Sequence, residues 1–268
     1  MIVRHSLRIK NGRVHKEFVK RQHFRRELNA LESLQPHPFV AELLEHAERQ
    51  TKVKFWGVIV MPYYRGCDLH TWLEAHTDGT EIRTVRYIFK KVLIALDYAK
   101  KMGYYHRDVK LENIVLDARG NVKLIDWELS TTDETTDRRV GTAEYMAFEV
   151  INQTMHSCEK ADVWSLAVTL FVLATGKRPY SSQIIDGEQY YNENLSCIFR
   201  KRWKRFWAPL PKVSSDFKAC IQAMLAKDPC KRPTYEDLMF FDIFAKPEAC
   251  PREVEAEIRR TINEYPLE

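Results

Sequence analysis

A chain of 268 residues, 45% hydrophobic and 29% charged, can bury a full core and is too apolar to be intrinsically disordered. Its net charge of +5 suits anionic ligands such as nucleotides and by itself does not imply nucleic acid. Six cysteines, at 67, 158, 197, 220, 230 and 250, make no C-x-x-C pair and read as reduced thiols of an intracellular protein, cytoplasmic or nuclear. Met1-Ile2-Val3-Arg4-His5 has no apolar h-region, so no signal peptide is expected. The longest uncharged run, 163–175, is short for a membrane span and predicts a buried core helix.

In chain order, residues 4–20 read as a hairpin around Asn11-Gly12, a type I′ turn signal between two strand-like runs. Phe24, Leu28, Leu31 and Leu34 recur at helical spacing and predict a helix over 23–34, ended by Pro36-His37-Pro38. Strands are expected around 40–46 and 53–61. After Pro62 the pattern turns helical, over 68–76, 81–102, 160–175, 214–225 and 234–240. The expectation is an α+β chain with a strand-rich part at 1–61, a helical part at 62–245, a boundary near 61–64, and a charged tail at 246–268 with one short helix.

The densest chemistry lies in His106-Arg107-Asp108-Val109-Lys110-Leu111-Glu112-Asn113. A hairpin pattern follows, 114–117 and 122–125 about the turn 118–121, and ends on Asp126. A loop followed by two short strands brings Asn113 and Asp126 to one edge, where two hard oxygen ligands suit Mg²⁺. Asp108 then lies where it can accept a hydroxyl proton and Lys110 where it can neutralise a phosphate. That is equipment for phosphoryl transfer to an alcohol.

This stretch resembles the protein-kinase catalytic loop H-R-D-x-K-x-x-N followed by D-F-G, and the likeness runs from about residue 14 to 245. It implies a two-lobed fold with a small, mainly β N-lobe and a larger, mainly α C-lobe. Lys16 falls where the family's V-A-I-K places its phosphate-binding lysine, with Lys20 as a rival. Glu27, 11 residues on, matches the helix glutamate that pairs with it. Met61 is implied as gatekeeper, with the backbone from Pro62 through Tyr63 to Tyr64 facing adenine. Asp68 either bonds the ribose or caps the following helix. Gly141-Thr142-Ala143-Glu144-Tyr145-Met146-Ala147-Phe148-Glu149 is similar to G-T-x-x-Y-x-A-P-E, which sets Thr142 beside Asp108 and Lys110. Asp162 is implied to hold the catalytic-loop backbone, and Arg232, in a D-P-x-x-R-P-T match, to pair with Glu149. Lys110 and Thr142 are the types used by serine/threonine kinases. The region from Phe206-Trp207 to Phe244 looks most like the calmodulin-dependent and AMP-activated kinase group. The resemblance thus implies a serine/threonine protein kinase using ATP and Mg²⁺, the metal on Asn113 and Asp126. Its partners are protein substrates and a regulatory protein, with no role for a membrane.

Four departures stand against that pattern. The only glycine before Lys16 is Gly12, in a hairpin turn, so the glycine-rich phosphate lid is absent from these residues. Losing its hydrogen bonds is expected to cost about 1–3 kcal/mol of nucleotide binding. Asp126-Trp127-Glu128 stands for D-F-G, and Glu128 is expected to restrict backbone freedom there and to add negative charge near the metal. Phe148 replaces the proline of A-P-E. Arg138 occupies the position of the usual loop phosphosite, leaving Thr136 as the nearest hydroxyl. The first two motivate the alternative, a catalytically weak or inactive pseudokinase acting as a scaffold or allosteric partner. The basic-aromatic run 200–207 reads as a solvated segment whose aromatics pack under a helix; if functional, it points to protein docking before RNA.

Overall fold

The computed structural model describes residues 6–185, 188–191, 193–210 and 213–264. Strands β1 (Ser6–Lys10) and β2 (Arg13–Phe18) pair antiparallel, Leu7 opposite Lys16 and Ile9 opposite Val14. Asn11 (φ 52°) and Gly12 (φ 69°) turn the chain in the left-handed region that a type I′ turn requires. Helix α1 (Arg21–Leu34) follows, then β3 (Glu45–Gln50) and β4 (Phe55–Pro62), in a sheet of order β1-β2-β4-β3. The apolar stripe of α1 packs on this sheet, Phe24 meeting Phe18 at 5.7 Å and Phe55 at 5.6 Å between ring centroids. Gly57 makes room for it, since a Cβ there would lie 2.7 Å from the Phe24 ring. Strand β3 is fully exposed and its sequence, EHAERQ, is polar, which guards the sheet edge.

The run 40–46 does not form the expected strand. Its apolar residues bridge to the later hairpin instead: Ala41 N–H donates to Leu124 O (3.0 Å) and Leu124 N–H to Phe39 O (2.8 Å), and the ladder with β4 begins only at Glu45. A short apolar run cannot tell which sheet it will join.

Beyond Pro62 come β5 (Gly66–Asp68), α2 (Leu69–Ala75), α3 (Ile82–Lys101), β6 (Ile114–Asp117) and β7 (Val122–Leu124), with a second sheet of order β5-β6-β7. Strands β8 (Thr135–Thr136) and β9 (His156–Ser157) form a small ladder, with α4 (Phe148–Ile151) between them in sequence. Helix α5 (Cys158–Thr175) is the expected core helix: every residue except Lys160 is buried, so it is enclosed on all sides. Ser157 caps its start and Gly176, left-handed at φ 65°, its end. After the hairpin β10 (Ser182–Ile185) and β11 (Glu188–Tyr191) come α6 (Glu193–Phe199), α7 (Trp203–Trp207), α8 (Ser215–Met224), α9 (Tyr235–Leu238) and α10 (Asp242–Ala245). The C-terminal helix α11 (Pro251–Glu264) is longer than expected, at 14 residues. Val254 and Ile258 are fully buried, and the helix lies against α2 and β5. Among the described residues no helix is long and apolar enough to cross a membrane.

Candidate active site

A cleft of about 380 Å³ opens between the β1–β2 hairpin and the β5–β6 region. Leu7, Ile9 and Val14 form one wall, Val115 and Ile125 the other, and Met61 to Tyr64 close the back. Tyr63 N–H is committed to Gly12 O (3.0 Å). The Tyr64 hydroxyl accepts from Glu42 N–H (2.9 Å), so this side chain braces the loop before β3. Asp68 lines the cleft but also caps α2, accepting from Thr71 N–H at 2.8 Å.

Alternation along β2 points Val14 and Lys16 to the cleft side. Lys16 is 5% exposed and its ammonium donates to Glu27 Oε2 at 2.5 Å and to Asp126 Oδ1 at 2.8 Å, with Glu128 Oε2 at 3.6 Å. Glu27 sits on the buried stripe of α1 and is 0% exposed. Burial works to discharge Lys16, yet Glu27 and Asp126 hold its pKa above the ordinary lysine value. Burial works against the Asp126 carboxylate too, but Lys16 outweighs it and brings its pKa down to about 2. For Glu27 burial wins: against the pull of Lys16, and with Asp126 and Glu128 adding to the rise, its pKa is pushed up to about 7. Three carboxylates, one oxygen of each within 4.8 Å of the others, thus face one ammonium, and Glu27 holds its proton to higher pH than Asp126.

This has a pH consequence. A carboxyl whose pKa is raised in the fold binds its proton more tightly there than in the unfolded chain. Its stabilising contribution is full below the ordinary 4.5 and is lost as pH rises through about 7. Raising the pH from about 5 to about 7.5 is therefore expected to lower the urea midpoint of the native chain relative to Glu27→Gln. Parallel pH curves for the two proteins would sink the assignment.

Asp126 has left-handed backbone, φ 62°. It is held from both sides: Ile125 N–H donates to Asn113 O (2.9 Å), and His106 Nε2 hydrogen-bonds Ile125 O (3.0 Å). Trp127 is fully buried, edge-on to His106 at 4.7 Å. The non-glycine residues with positive φ include Arg107 and Asp126 but not Glu128. The backbone freedom of glycine is therefore not required at 128 in this conformation. Instead Glu128 ties α1 to the loop: its carboxylate contacts His23 Nδ1, and its carbonyl accepts from Arg26 Nη1 at 3.3 Å.

The loop 106–113 is anchored on α5. Asp162, 1% exposed, accepts from His106 N–H (2.9 Å), Arg107 N–H (2.8 Å) and the Tyr235 hydroxyl (3.1 Å). Asp108, Lys110 and Thr142 then close a triangle. Lys110 Nζ lies 2.8 Å from both Asp108 Oδ2 and Thr142 Oγ1, and the Thr142 hydroxyl donates to Asp108 Oδ1 at 2.8 Å. Asn113 Nδ2 donates to the Asp108 carbonyl (2.8 Å) and to Asp108 Oδ2 (3.2 Å). Gly141, at φ 113°, lets the two segments meet: a Cβ there would lie 2.7 Å from Arg107 O.

The predicted site residues therefore fall into two groups. Lys16, Glu27, Met61, Tyr63, Tyr64, Asp68 and Asp126 line the cleft, and Asp108, Lys110, Asn113 and Thr142 form the loop cluster. The bond from Ile125 to Asn113 joins them. Arg232, fully buried, pairs in two-pronged fashion with Glu149 at 2.5 and 2.9 Å, the bridge expected from the motif. Thr136 is only 7% exposed, and its hydroxyl accepts from Arg138 N–H. Sequence reasoning missed Glu112 in the cleft wall, the Tyr235 bond to Asp162, and the contacts of His23 and Arg26 with Glu128. His23 lies one helical turn before Glu27, a signal that could have flagged it; Arg26, next to Glu27 in sequence, carries no such signal.

A strand-rich part over a helical one, with a cleft walled by both and a buried lysine–glutamate pair inside it, is the architecture of a protein kinase domain. Residues 6–243 match the family described as Protein kinase domain, and the chain belongs to it. It is 30% identical over 230 residues to CBL-interacting serine/threonine-protein kinase 13 of Arabidopsis thaliana, covering 84% of this chain and 42% of that protein. Against putative CBL-interacting protein kinase 27 of Oryza sativa subsp. japonica it is 31% identical over 242 residues (88% and 56%). Against NUAK family SNF1-like kinase 2 of Rattus norvegicus it is 32% identical over 219 residues (81% and 32%). These relatives are serine/threonine and SNF1-like kinases, in keeping with the group that the motifs resemble. The chain spans about a third to just over half of their length.

Proposed function

We propose that this chain is a serine/threonine protein kinase domain that transfers the γ-phosphate of ATP to hydroxyls of protein substrates inside the cell. The observation that carries this is the triangle of Asp108, Lys110 and Thr142, set beside a cleft that holds Lys16 between Glu27 and Asp126. Lys16 exchanges part of its carboxylate pairing for nucleotide phosphate. Asp108 orients the acceptor hydroxyl and takes its proton, Lys110 offsets charge on the transferred group, and Thr142 fixes both. Catalysis is then positioning and electrostatics, as phosphoryl transfer requires.

The family generally uses ATP with Mg²⁺, and the residues here fit the ion. Asn113 spends its amide nitrogen on Asp108, so its amide oxygen is the atom left to serve as a ligand, and Asp126 follows Ile125, whose N–H Asn113 O accepts. Bound by these two, Mg²⁺ supplies neutralisation of phosphate charge. A nucleotide-responsive scaffold is the second reading, favoured by one observation: Glu128 lies 3.6 Å from Lys16 and competes with phosphate for it.

Incubation with γ-labelled ATP, Mg²⁺ and a generic Ser/Thr acceptor is expected to yield phosphoserine and phosphothreonine, and EDTA to stop it. A folded, nucleotide-binding protein that transfers nothing belongs to the scaffold reading. Lys16→Met is expected to weaken ATP binding about 10- to 150-fold, the equivalent of one charge-assisted contact, in a direct binding titration. Unchanged affinity would remove Lys16 from the phosphate site.

A further inference from the structure

Away from the cleft, a second concavity of about 630 Å³ lies between the α6–α7 segment and the end of α8. Its apolar wall includes Phe199 and Trp203, both half-buried, and its rim carries the exposed ammonium groups of Lys201, Lys227 and Lys231. Residues 198–231 hold nine of the chain's 42 Lys and Arg but only two of its 37 Asp and Glu, so the chain's positive excess is concentrated here. Both acids are already committed. Asp216 is buried against Arg86 (3.1 Å) and Lys246 (2.8 Å). Asp228, in the groove wall, accepts from Cys230 N–H (3.1 Å) and faces Lys231 (3.5 Å).

The inward aromatics of the basic run are accounted for by packing: Phe206 and Trp207 lie 5.5 and 5.6 Å from Phe171 of α5. Phe199 and Trp203 are different, because each keeps surface in the groove while being held from behind. Phe199 meets Phe148 at 5.3 Å and Trp164 at 6.3 Å, and Trp203 stands edge-on to Phe206 at 5.6 Å. Lys227 lies over the Phe199 ring at 5.2 Å, so the pair is not an open platform for base stacking. A preformed apolar notch rimmed by exposed lysines, in a segment with nine cations to two acids, fits an apolar side chain flanked by carboxylates.

We propose that this groove docks an acidic segment of a protein partner, one apolar side chain seating between Phe199 and Trp203 and flanking Asp or Glu residues meeting Lys201, Lys227 and Lys231. The groove shares no residue with the nucleotide cleft, so the proposal does not rest on the phosphotransfer reading.

The test is fluorescence anisotropy of the full chain with labelled Asp/Glu-rich peptides carrying a single Phe, Leu or Trp. The expected result is saturable binding that weakens with salt and is lost when the apolar residue is changed to Ser. The double variant Lys227→Glu/Lys231→Glu, two surface lysines whose reversal leaves the core intact, is expected to weaken binding about tenfold or more while the melting temperature holds. Absence of binding by all three peptides, or binding indifferent to the double variant, overturns the proposal. So does displacement of the peptide by a single-stranded oligonucleotide that binds more tightly, which would make the face a nucleic-acid surface.

Discussion

Asp108→Asn is expected to lower kcat for phosphate transfer by roughly 10²- to 10⁴-fold, the usual contribution of a positioned general base, while leaving fold and ATP affinity nearly unchanged. The asparagine keeps the size of the side chain and an oxygen for the Thr142 hydroxyl, which donates to Asp108 Oδ1 at 2.8 Å. It loses the basic oxygen and turns an amide N–H₂ toward Lys110 Nζ and Asn113 Nδ2, both now near Oδ2. Asp108 is not part of the cleft wall, so the effect belongs in kcat and not in KM for ATP. Single-turnover transfer with saturating ATP, beside a thermal melt, separates these outcomes. Transfer within about tenfold of the native rate would assign the base elsewhere.

The largest stability effect is expected at Arg232. Its side chain is fully buried, and besides the two bonds to Glu149 it donates from Nε to Ala226 O (2.9 Å) and from Nη1 to Lys160 O (2.9 Å), with the guanidinium 4.8 Å from the Trp164 ring. Arg232→Met leaves Glu149 as a buried, unpaired carboxylate and removes a donor from the carbonyls of Ala226 and Lys160. Removing one partner of such a pair typically costs about 3–5 kcal/mol, a large share of the ~5–15 kcal/mol by which a domain is stable. Urea unfolding should show a lower midpoint with an unchanged slope. The double variant Glu149→Leu/Arg232→Met should lose less than the sum of the two single variants, because it removes the stranded charge as well. Additive losses, or a cost under about 1 kcal/mol for Arg232→Met, would mean that the pair contributes little. Because Phe148 precedes Glu149 and packs on Phe199, this bridge also anchors the far end of the segment that begins at Asp126.

Local pattern alone placed the hairpin at Asn11-Gly12, the stripe of α1, and α5 as a buried core helix. Each is set by period, turn chemistry or solvent exclusion, which act over a few residues. Spacing also brought Asp108, Lys110 and Asn113 into one loop. The failures were non-local. The run 40–46 satisfies strand pattern equally well with either sheet, and the bonds of Ala41 and neighbouring Phe39 to Leu124 were decided by packing across the two parts of the chain. The length of α11 was hidden because its buried stripe finds its partner in α2 and β5, far away in sequence.

What the sequence by itself determined is the chemical inventory and its local placement: a lysine on a strand, a glutamate on the next helix, an acid–lysine–asparagine loop, and a second acid at the end of a hairpin. Family membership followed from the same residues. Tertiary structure decided how these groups act on one another. It set three carboxylates around Lys16, so that Glu27 holds a proton up to about 7, and it moved the backbone strain to Asp126 and spared Glu128. It also bound Glu128 to His23 and Arg26 on α1. The reason is physical. Pattern follows from interactions within a turn or a ladder, whereas the charge state of a buried group depends on distances between segments up to 110 residues apart.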